Sequence, residues 1–168
     1  MKKSKLFMSI VPLLFGSYVE VAVAAANHEE LAIEFLNGVY GGDPTVVDRL
    51  ASPDIVVSYP IFEELFAAPS IRGRDAVRDF AAGFGERWID AEVTVYSVVS
   101  SDDMVVLLWG FRARRANGEG DNAGVLPESA WGGISLYRFD DNDRVVLEIG
   151  EESNPGPAAR VPAAFVKP

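Results

Sequence analysis

The chain has 168 residues and a formal net charge of −10, with no cysteine and one histidine. This length predicts one domain with a core large enough to fold without disulfides. The lack of cysteine excludes thiol nucleophiles and thiolate zinc sites, and one histidine excludes a multi-histidine metal site. The acidic balance argues against nucleic acid as a partner, because phosphate backbones are repelled.

The first 26 residues have the features of an export signal. Three lysines precede an uncharged run of 14 residues from Leu6 to Val19, and Ala22-Val23-Ala24 supplies a small-residue cleavage pattern. The run is shorter than the roughly 20 residues that span a bilayer. We therefore predict a signal peptide at residues 1–24, with Ala26 as a second cleavage point, and a periplasmic or secreted protein. A retained anchor is the alternative; after cleavage we expect no stable membrane insertion.

Apolar periodicity predicts helices first and strands afterwards, which is an α+β pattern. The predicted helices cover residues 27–40, 45–50 and 73–88, and the predicted strands cover residues 54–59, 91–100, 104–115, 130–139 and 145–152. Residues 61–71 are predicted to form a loop or a short helix. The folded domain is assigned to residues 27–153, and the Pro- and Ala-rich residues 154–168 to an irregular tail.

Two motifs carry a family resemblance. The first, Gly73-Arg74-Asp75-Ala76-Val77-Arg78-Asp79-Phe80, is a glycine-led helix start, and the second is a strand, polar turn and strand over residues 135–146. Their order and spacing resemble the SnoaL-like polyketide cyclases and ketosteroid isomerases of the NTF2-like superfamily. The resemblance implies a cone in which three N-terminal helices pack on a strongly bent antiparallel sheet, with an apolar cavity between them. It also implies a homodimer that forms through the sheet.

The residues that carry the best-known chemistry of these relatives are replaced in this chain. Ketosteroid isomerases use a carboxylate base, and a tyrosine and a protonated aspartic acid that bind the oxyanion. The resemblance puts these three roles at Tyr59, Phe35 and Ser135. A phenylalanine donates no hydrogen bond and a tyrosine is not a carboxylate base, so ketosteroid isomerisation is disfavoured.

Glutamates near the end of the last strand are the remaining candidate bases. SnoaL-like cyclases often place an acidic base shortly after the last hairpin, and the matching position here falls near Ser153, beside Glu148, Glu151 and Glu152. On an extended strand Glu148 and Glu152 share one face, while Glu151 lies on the other. The sequence does not say which face meets the cavity, and a solvated rim of glutamates is the alternative interpretation.

The candidate substrate contacts are the large apolar side chains expected near the cavity, together with one arginine: Phe35, Phe62, Phe66, Trp88, Trp109, Trp131 and Arg112. For the aromatic side chains ordinary core packing is the favoured interpretation, and a few of them are expected to serve both roles. If its face of the strand pointed inward, Arg112 would need Glu148 or a substrate carboxylate as a partner. The alternative is that Arg112 points outward while Trp109 and Phe111 fill the core.

Two functions stay open at this stage. The first is an exported enzyme that acts without a metal or cofactor on a small hydrophobic molecule, by isomerisation, cyclisation or hydrolysis. Glu148 or Glu151 would be its base and Tyr59 a donor to the oxyanion. The second is a non-catalytic module that holds an apolar ligand in the same cavity or dimerises.

The signal-peptide prediction has a direct test. Cleavage after Ala24 or Ala26 should give envelope-fraction protein whose N-terminal sequence begins at residue 25 or 27. Cleavage after Ala24 moves the net charge from −10 to −12, because three lysines and Glu20 are removed. Recovery of the intact chain from the cytosol would contradict the prediction.

Overall fold

The computed structural model describes residues 27–116 and 128–165. The predicted signal peptide, residues 1–24, lies outside the described residues. The helices are α1 (His28–Gly41), α2 (Pro44–Leu50), α3 (Ile61–Phe66) and α4 (Arg74–Arg87). The strands are β1 (Ala51–Ser58), β2 (Ile71–Arg72), β3 (Trp88–Ser101), β4 (Met104–Arg115), β5 (Glu128–Phe139) and β6 (Val145–Ser153).

The ends of the first two helices follow from local side-chain chemistry. The Asn27 side chain accepts a hydrogen bond from the backbone N–H of Glu29 and starts α1. Gly42, with φ of 74°, ends α1 in the left-handed conformation and packs directly against the backbone of Gly85 in α4. Asp43 then caps α2 by accepting from the N–H of Thr45 at 2.9 Å. The short link fixes α1 against α2 and α4.

All six strands form one sheet in the order β2-β1-β6-β5-β4-β3. The α+β prediction is confirmed, but the expectation of a wholly antiparallel sheet is wrong for one pair. β1 runs parallel to β6, with Val57 opposite Glu148 and Ser58 opposite Ile149. The period of two in a strand reports which side chains share a face and carries no information on the direction of its neighbour. This pairing brings the end of β1 beside Glu148 of β6.

The core lies between the helices and the face of the sheet that they cover, which we call the inner face. Along β4 the alternate side chains of Leu107, Trp109, Phe111 and Ala113 are buried on this inner face. Arg112, between them, is exposed on the opposite, outer face. Of the two orientations left open for this strand, the structure therefore has the one in which Trp109 and Phe111 point inward and Arg112 points outward.

The predicted irregular tail contains two short regular segments as far as residue 165. Pro157–Arg160 and Ala163–Phe165 form 3₁₀ turns. Gly156, just before the first turn, lies so close to Gly132 of β5 that a Cβ on Gly156 would overlap the Gly132 backbone. None of the helices within the described ranges is long and apolar enough to cross a bilayer.

Candidate functional site

A cavity of about 300 Å³ lies between the helices and the inner face of the sheet. Its wall is mostly aliphatic and aromatic, as in ordinary ligand sites. The lining residues come from all layers of the fold: Val39, Tyr40, Val57, Tyr59, Ile61, Phe62, Leu65, Val77, Phe80, Phe84, Arg87, Trp88, Arg115, Trp131, Glu148 and Glu152. Two carboxyl groups, two phenols and two guanidinium groups are therefore placed among mostly apolar side chains.

One chain of hydrogen bonds ends on Glu148. The indole N–H of Trp109 donates to Ser135 Oγ at 2.8 Å, and Tyr59 Oη lies 2.8 Å from the same Oγ. Tyr59 donates its single proton to Glu148 Oε1 at 2.5 Å. Because an indole only donates, Ser135 accepts from Trp109 and donates to Tyr59. All donors in the chain therefore point towards the carboxyl group.

A second phenol completes the environment of Glu148. Tyr137 donates to the same Oε1 atom at 3.0 Å. The other oxygen, Oε2, takes no part in these bonds. Since every fully buried polar side-chain atom of the described residues has a hydrogen-bond partner, Oε2 is the oxygen left accessible from the cavity that Glu148 lines. The carboxyl group is held by one oxygen and free at the other.

Burial sets the protonation of this carboxyl group. Only 3% of Glu148 is exposed. Its pKa is raised from 4.5 to about 7: loss of solvation is the main cause, the hydrogen bonds from Tyr59 and Tyr137 act in the opposite direction, and the nearby Glu152 adds a smaller upward shift. A carboxyl group with a pKa near neutrality can both accept and return a proton under ordinary conditions.

A second polar pair stands further along the same strand face. Tyr40 donates to Glu152 Oε2 at 3.1 Å. Burial raises the pKa of Glu152 and the pKa of Tyr40. The Tyr40 ring packs against Trp109 and Phe84, with centroids 4.8 Å and 4.9 Å away. Its hydroxyl is thus positioned at the cavity wall by aromatic packing.

Local sequence explains why Tyr59 reaches Glu148. Tyr59 directly follows β1, and Pro60 turns the chain into α3 behind it. The Tyr59 ring lies flat across Gly150 of β6, where any Cβ would overlap ring carbons. A glycine between Glu148 and Glu152 therefore makes the space that Tyr59 occupies.

The structure brings only some of the predicted substrate contacts to the cavity. Phe62, Trp88 and Trp131 line it. Phe66 is 45% exposed and packs on Phe62 at 5.4 Å between ring centroids, outside the lining. Phe35, like Trp109, is fully buried in the core.

Phe35 and Trp109 act on the site indirectly. Phe35 packs edge-on against Tyr137 at 6.2 Å, and Trp109 donates into the hydrogen-bond chain. Both are positioning residues rather than ligand contacts, because their polar or aromatic contacts are made to side chains that hold Glu148.

Two sequence-based candidates lie away from the cavity. Arg112 is on the outer face, where its Nε donates to Glu92 Oε2 at 3.0 Å. Glu151 is exposed on the outer side of β6, as is Ile149. The alternation of side chains along each strand fixes both results. On β6, Glu148, Gly150 and Glu152 take the inner face, which excludes Glu151; on β4, Trp109, Phe111 and Ala113 take it, which excludes Arg112.

Sequence reasoning missed Tyr40 and did not commit to Glu152 as a site residue. Glu152 could have been found, because it shares a strand face with Glu148. Tyr40 carried no signal, since an apolar-stripe tyrosine at the end of α1 looks like ordinary packing. Within the described ranges, His, Asp and Glu side chains form no group of three that could hold a metal ion.

Comparisons with known proteins place the fold and the family. The class is the NTF2-like α+β fold, and the model of the SnoaL-like domain matches residues 32–148. Because the match covers more than half of the chain, the protein belongs to the SnoaL-like domain family. No protein of curated function matches the chain.

Solved structures agree with this fold. A protein of Shewanella denitrificans assigned to the SnoaL-like polyketide cyclases is 15% identical with a TM-score of 0.62, covering 76% of this chain and 90% of its own. An NTF2-like protein of unknown function from Burkholderia pseudomallei is 16% identical with a TM-score of 0.58, at 75% and 90% coverage. An epoxide hydrolase of the LEH-like type from Mycobacterium tuberculosis is 15% identical with a TM-score of 0.57, at 76% and 83% coverage. At these identities the likeness shows the fold alone.

The buried Glu148 should make stability depend on pH in a defined direction. Its folded-state pKa of about 7 exceeds the reference value of 4.5, so the folded protein binds more protons than the unfolded chain between these values. The free energy of unfolding should therefore fall as the pH rises from 4.5 to 7, by on the order of 3 kcal/mol from this group.

Urea unfolding of wild type and Glu148→Gln at pH 4.5 and pH 8 measures this contribution of Glu148 to stability. From pH 4.5 to pH 8 the free energy of unfolding should fall more in wild type than in Glu148→Gln, because only wild type has the carboxyl group that ionises. The exposed Glu151→Gln is the matched control and should follow wild type at both pH values. A pH dependence that is identical in wild type and Glu148→Gln would show that Glu148 is ionised normally in the folded state.

Proposed function

We propose that this protein is a cofactor-independent enzyme that uses Glu148 to move a proton on a small apolar carbonyl compound held in the cavity. The observation that supports this most is the asymmetry of Glu148. Tyr59 and Tyr137 hold Oε1, while Oε2 is accessible from an apolar cavity. A buried carboxyl group with no partner cation costs stability, so its presence favours a chemical role.

The proposed step removes a proton from the carbon next to the carbonyl group. Glu148 Oε2 takes the proton, the C–H electron pair becomes the new C=C bond, and the carbonyl oxygen becomes an enolate oxygen. The neutral acid then returns the proton to another carbon for isomerisation. In a cyclisation the enolate carbon attacks a second carbonyl within the same molecule, and the proton goes to the new alkoxide.

Tyr40 is the donor that best fits the enolate oxygen. Its hydroxyl lines the cavity, and its bond to Glu152, at 3.1 Å, is longer than the 2.5 Å bond from Tyr59 to Glu148. Tyr40 is therefore the phenol whose proton can more easily turn to a developing oxyanion. Tyr59, the donor expected from sequence, gives its only proton to Glu148. We therefore assign Tyr59, Tyr137 and Ser135 to positioning Glu148.

Hydrolysis is less well supported than proton transfer. The inner face of the central strand β4 carries Leu107, Trp109 and Phe111, all apolar or engaged in packing. The Arg-x-Asp pattern of epoxide hydrolases on this fold has no counterpart in residues 109–114.

Proton exchange with solvent tests the proposed chemistry without knowledge of the natural substrate. The bicyclic ketone 2-tetralone, incubated with the protein in D₂O, should exchange its acidic α-protons faster than in buffer, as measured by proton NMR. The rate should rise with pH through an apparent pKa of about 7, because the base must be ionised. Glu148→Gln should slow exchange by about 10²–10⁴-fold.

Glu151→Gln makes the same charge change on the outer face of the same strand and should leave exchange unchanged. Binding of 2-tetralone without exchange above the buffer rate would overturn the enzyme proposal. The cavity would then be a binding site for apolar ligands only.

We also propose that the protein acts as a homodimer in the periplasm or outside the cell. Export is supported by the signal-like residues 1–24. Dimerisation is supported by an apolar row on the outer face, where Val99, Val106, Leu136 and Ile149 are neighbours across four strands. Val99 is 65% exposed and Ile149 is 46% exposed. A second copy related by a twofold axis would cover this row with the same row.

Light scattering after size-exclusion chromatography tests the dimer. The wild type should have the mass of two chains, and Ile149→Lys should have the mass of one, because a lysine within the covered row would be buried without a partner. Ile89→Lys, a matched change at an exposed residue outside the row, should stay dimeric. A monomeric wild type at micromolar concentration would contradict this proposal.

A further inference from the structure

The cavity is polar at two separate ends of the inner face. Glu148 stands opposite Tyr137, and Tyr137 stands opposite Val105 of β4. Arg115 lies ten positions further along β4 than Val105, and its even offset places it on the same inner face. The cavity lining nevertheless includes both Glu148 and Arg115. The space is therefore elongated, with a carboxyl group at one end and a guanidinium group at the other.

A second arginine is fixed beside the first. The N–H of Ala116, next to Arg115, donates to the carbonyl oxygen of Arg87 at 2.8 Å. Trp88, which follows Arg87, is paired with Arg115 in the β3–β4 ladder. The end of α4 and the end of β4 are thus joined, and both arginine side chains line the cavity.

These arginines mark the opening. Arg87 and Arg115 are exposed, as is Leu65 of α3, whereas Tyr59, Phe62 and Glu148 deeper in the lining are buried. The guanidinium groups lie over aromatic walls of the cavity, Arg87 at 5.8 Å from the Phe84 centroid and Arg115 at 5.8 Å from the Trp88 centroid. Stacking of this kind orients a planar cation while leaving its N–H groups free to bind an anion.

The neighbouring arginines of the same strand behave differently. Arg112 pairs with Glu92 and Arg114 pairs with Asp90 on the outer face. Neither Arg87 nor Arg115 has a carboxylate of the described part of the chain within salt-bridge distance. The protein has a net charge of −10, so carboxylates are plentiful. Two adjacent arginines that lack such partners at a cavity opening are therefore suited to bind the anionic group of a ligand.

We propose that the ligand of this cavity is an elongated apolar carboxylate, whose charged end binds Arg87 and Arg115 while its apolar body extends towards Glu148. This inference rests on the proposed function for the identity of the reacting end, but its binding prediction is independent of catalysis. The orientation of the ligand in the cavity follows from charge, since Glu148 and Glu152 would repel a carboxylate at the inner end. Arg87 and Arg115 would select which acids enter and in which direction.

A matched pair of probes tests the proposal by calorimetry: 6-phenylhexanoate and its neutral amide, 6-phenylhexanamide. Both have the same apolar body, so only the charge of the head differs. Wild type should bind the carboxylate about three- to tenfold more tightly than the amide at low salt, from two partly solvated ion pairs. The preference should shrink in high salt.

The double variant Arg87→Gln/Arg115→Gln should bind both probes equally, with the amide affinity unchanged. Retained amide binding shows that the cavity is intact in the variant. Arg112→Gln/Arg114→Gln removes the same charge from the outer face of β4 and should keep the preference for the carboxylate. Arg87→Lys/Arg115→Lys should restore part of it.

Equal affinity of wild type for the two probes would overturn the inference, as would a preference that survives in Arg87→Gln/Arg115→Gln. Repeating the titrations with Glu148→Gln separates the carboxylate preference from the proposed proton transfer, because this variant lacks the proposed base but keeps both arginines. A carboxylate preference with no proton exchange would leave the inference intact and remove the enzyme proposal. Exchange without a carboxylate preference would do the reverse.

Discussion

The burial of one carboxyl group, Glu148, constrains the architecture around it. An ionisable group with 3% exposure is tolerated only where other groups replace its lost solvation. Here two phenols donate to it, and one of these phenols is itself supported by a serine and an indole. The donors come from β1, β4 and β5, so the sheet cannot change its register without breaking the chain of hydrogen bonds.

The same arrangement explains several unusual features of the fold. The parallel pairing of β1 with β6 delivers Tyr59 to Glu148 from the strand that follows α2. Gly150 gives the Tyr59 ring its place on β6, and a side chain there would displace the phenol. Each feature weakens the sheet slightly, since parallel pairs and strand glycines are less stable than the alternatives. Together they build a site rather than the most stable sheet.

The cavity combines a carboxyl group of near-neutral pKa with apolar walls and two arginines at its opening. Because the pKa of Glu148 lies near 7 through burial, small changes in solvation by a ligand would alter its proton affinity. A ligand that excludes water from the cavity strengthens every electrostatic contact inside it. The opening at Arg87 and Arg115 lies far along the inner face from Glu148, so the roles proposed for ligand entry and for chemistry fall to different residues.

Sequence alone determined the α+β class, the start of the first helix at residue 27, the alternation of β4 without its direction, and the sharing of a face by Glu148 and Glu152. These are local properties, fixed by capping groups and by the periods of helix and strand. Tertiary structure decided which faces of β4 and β6 meet the cavity, that Glu151 and Arg112 are excluded from it, that Tyr59 donates to Glu148, and that Tyr40 and Tyr137 join the site. Those outcomes depend on the direction and register of β1 against β6, and on contacts between residues up to 112 positions apart. No periodicity within a single segment encodes such contacts.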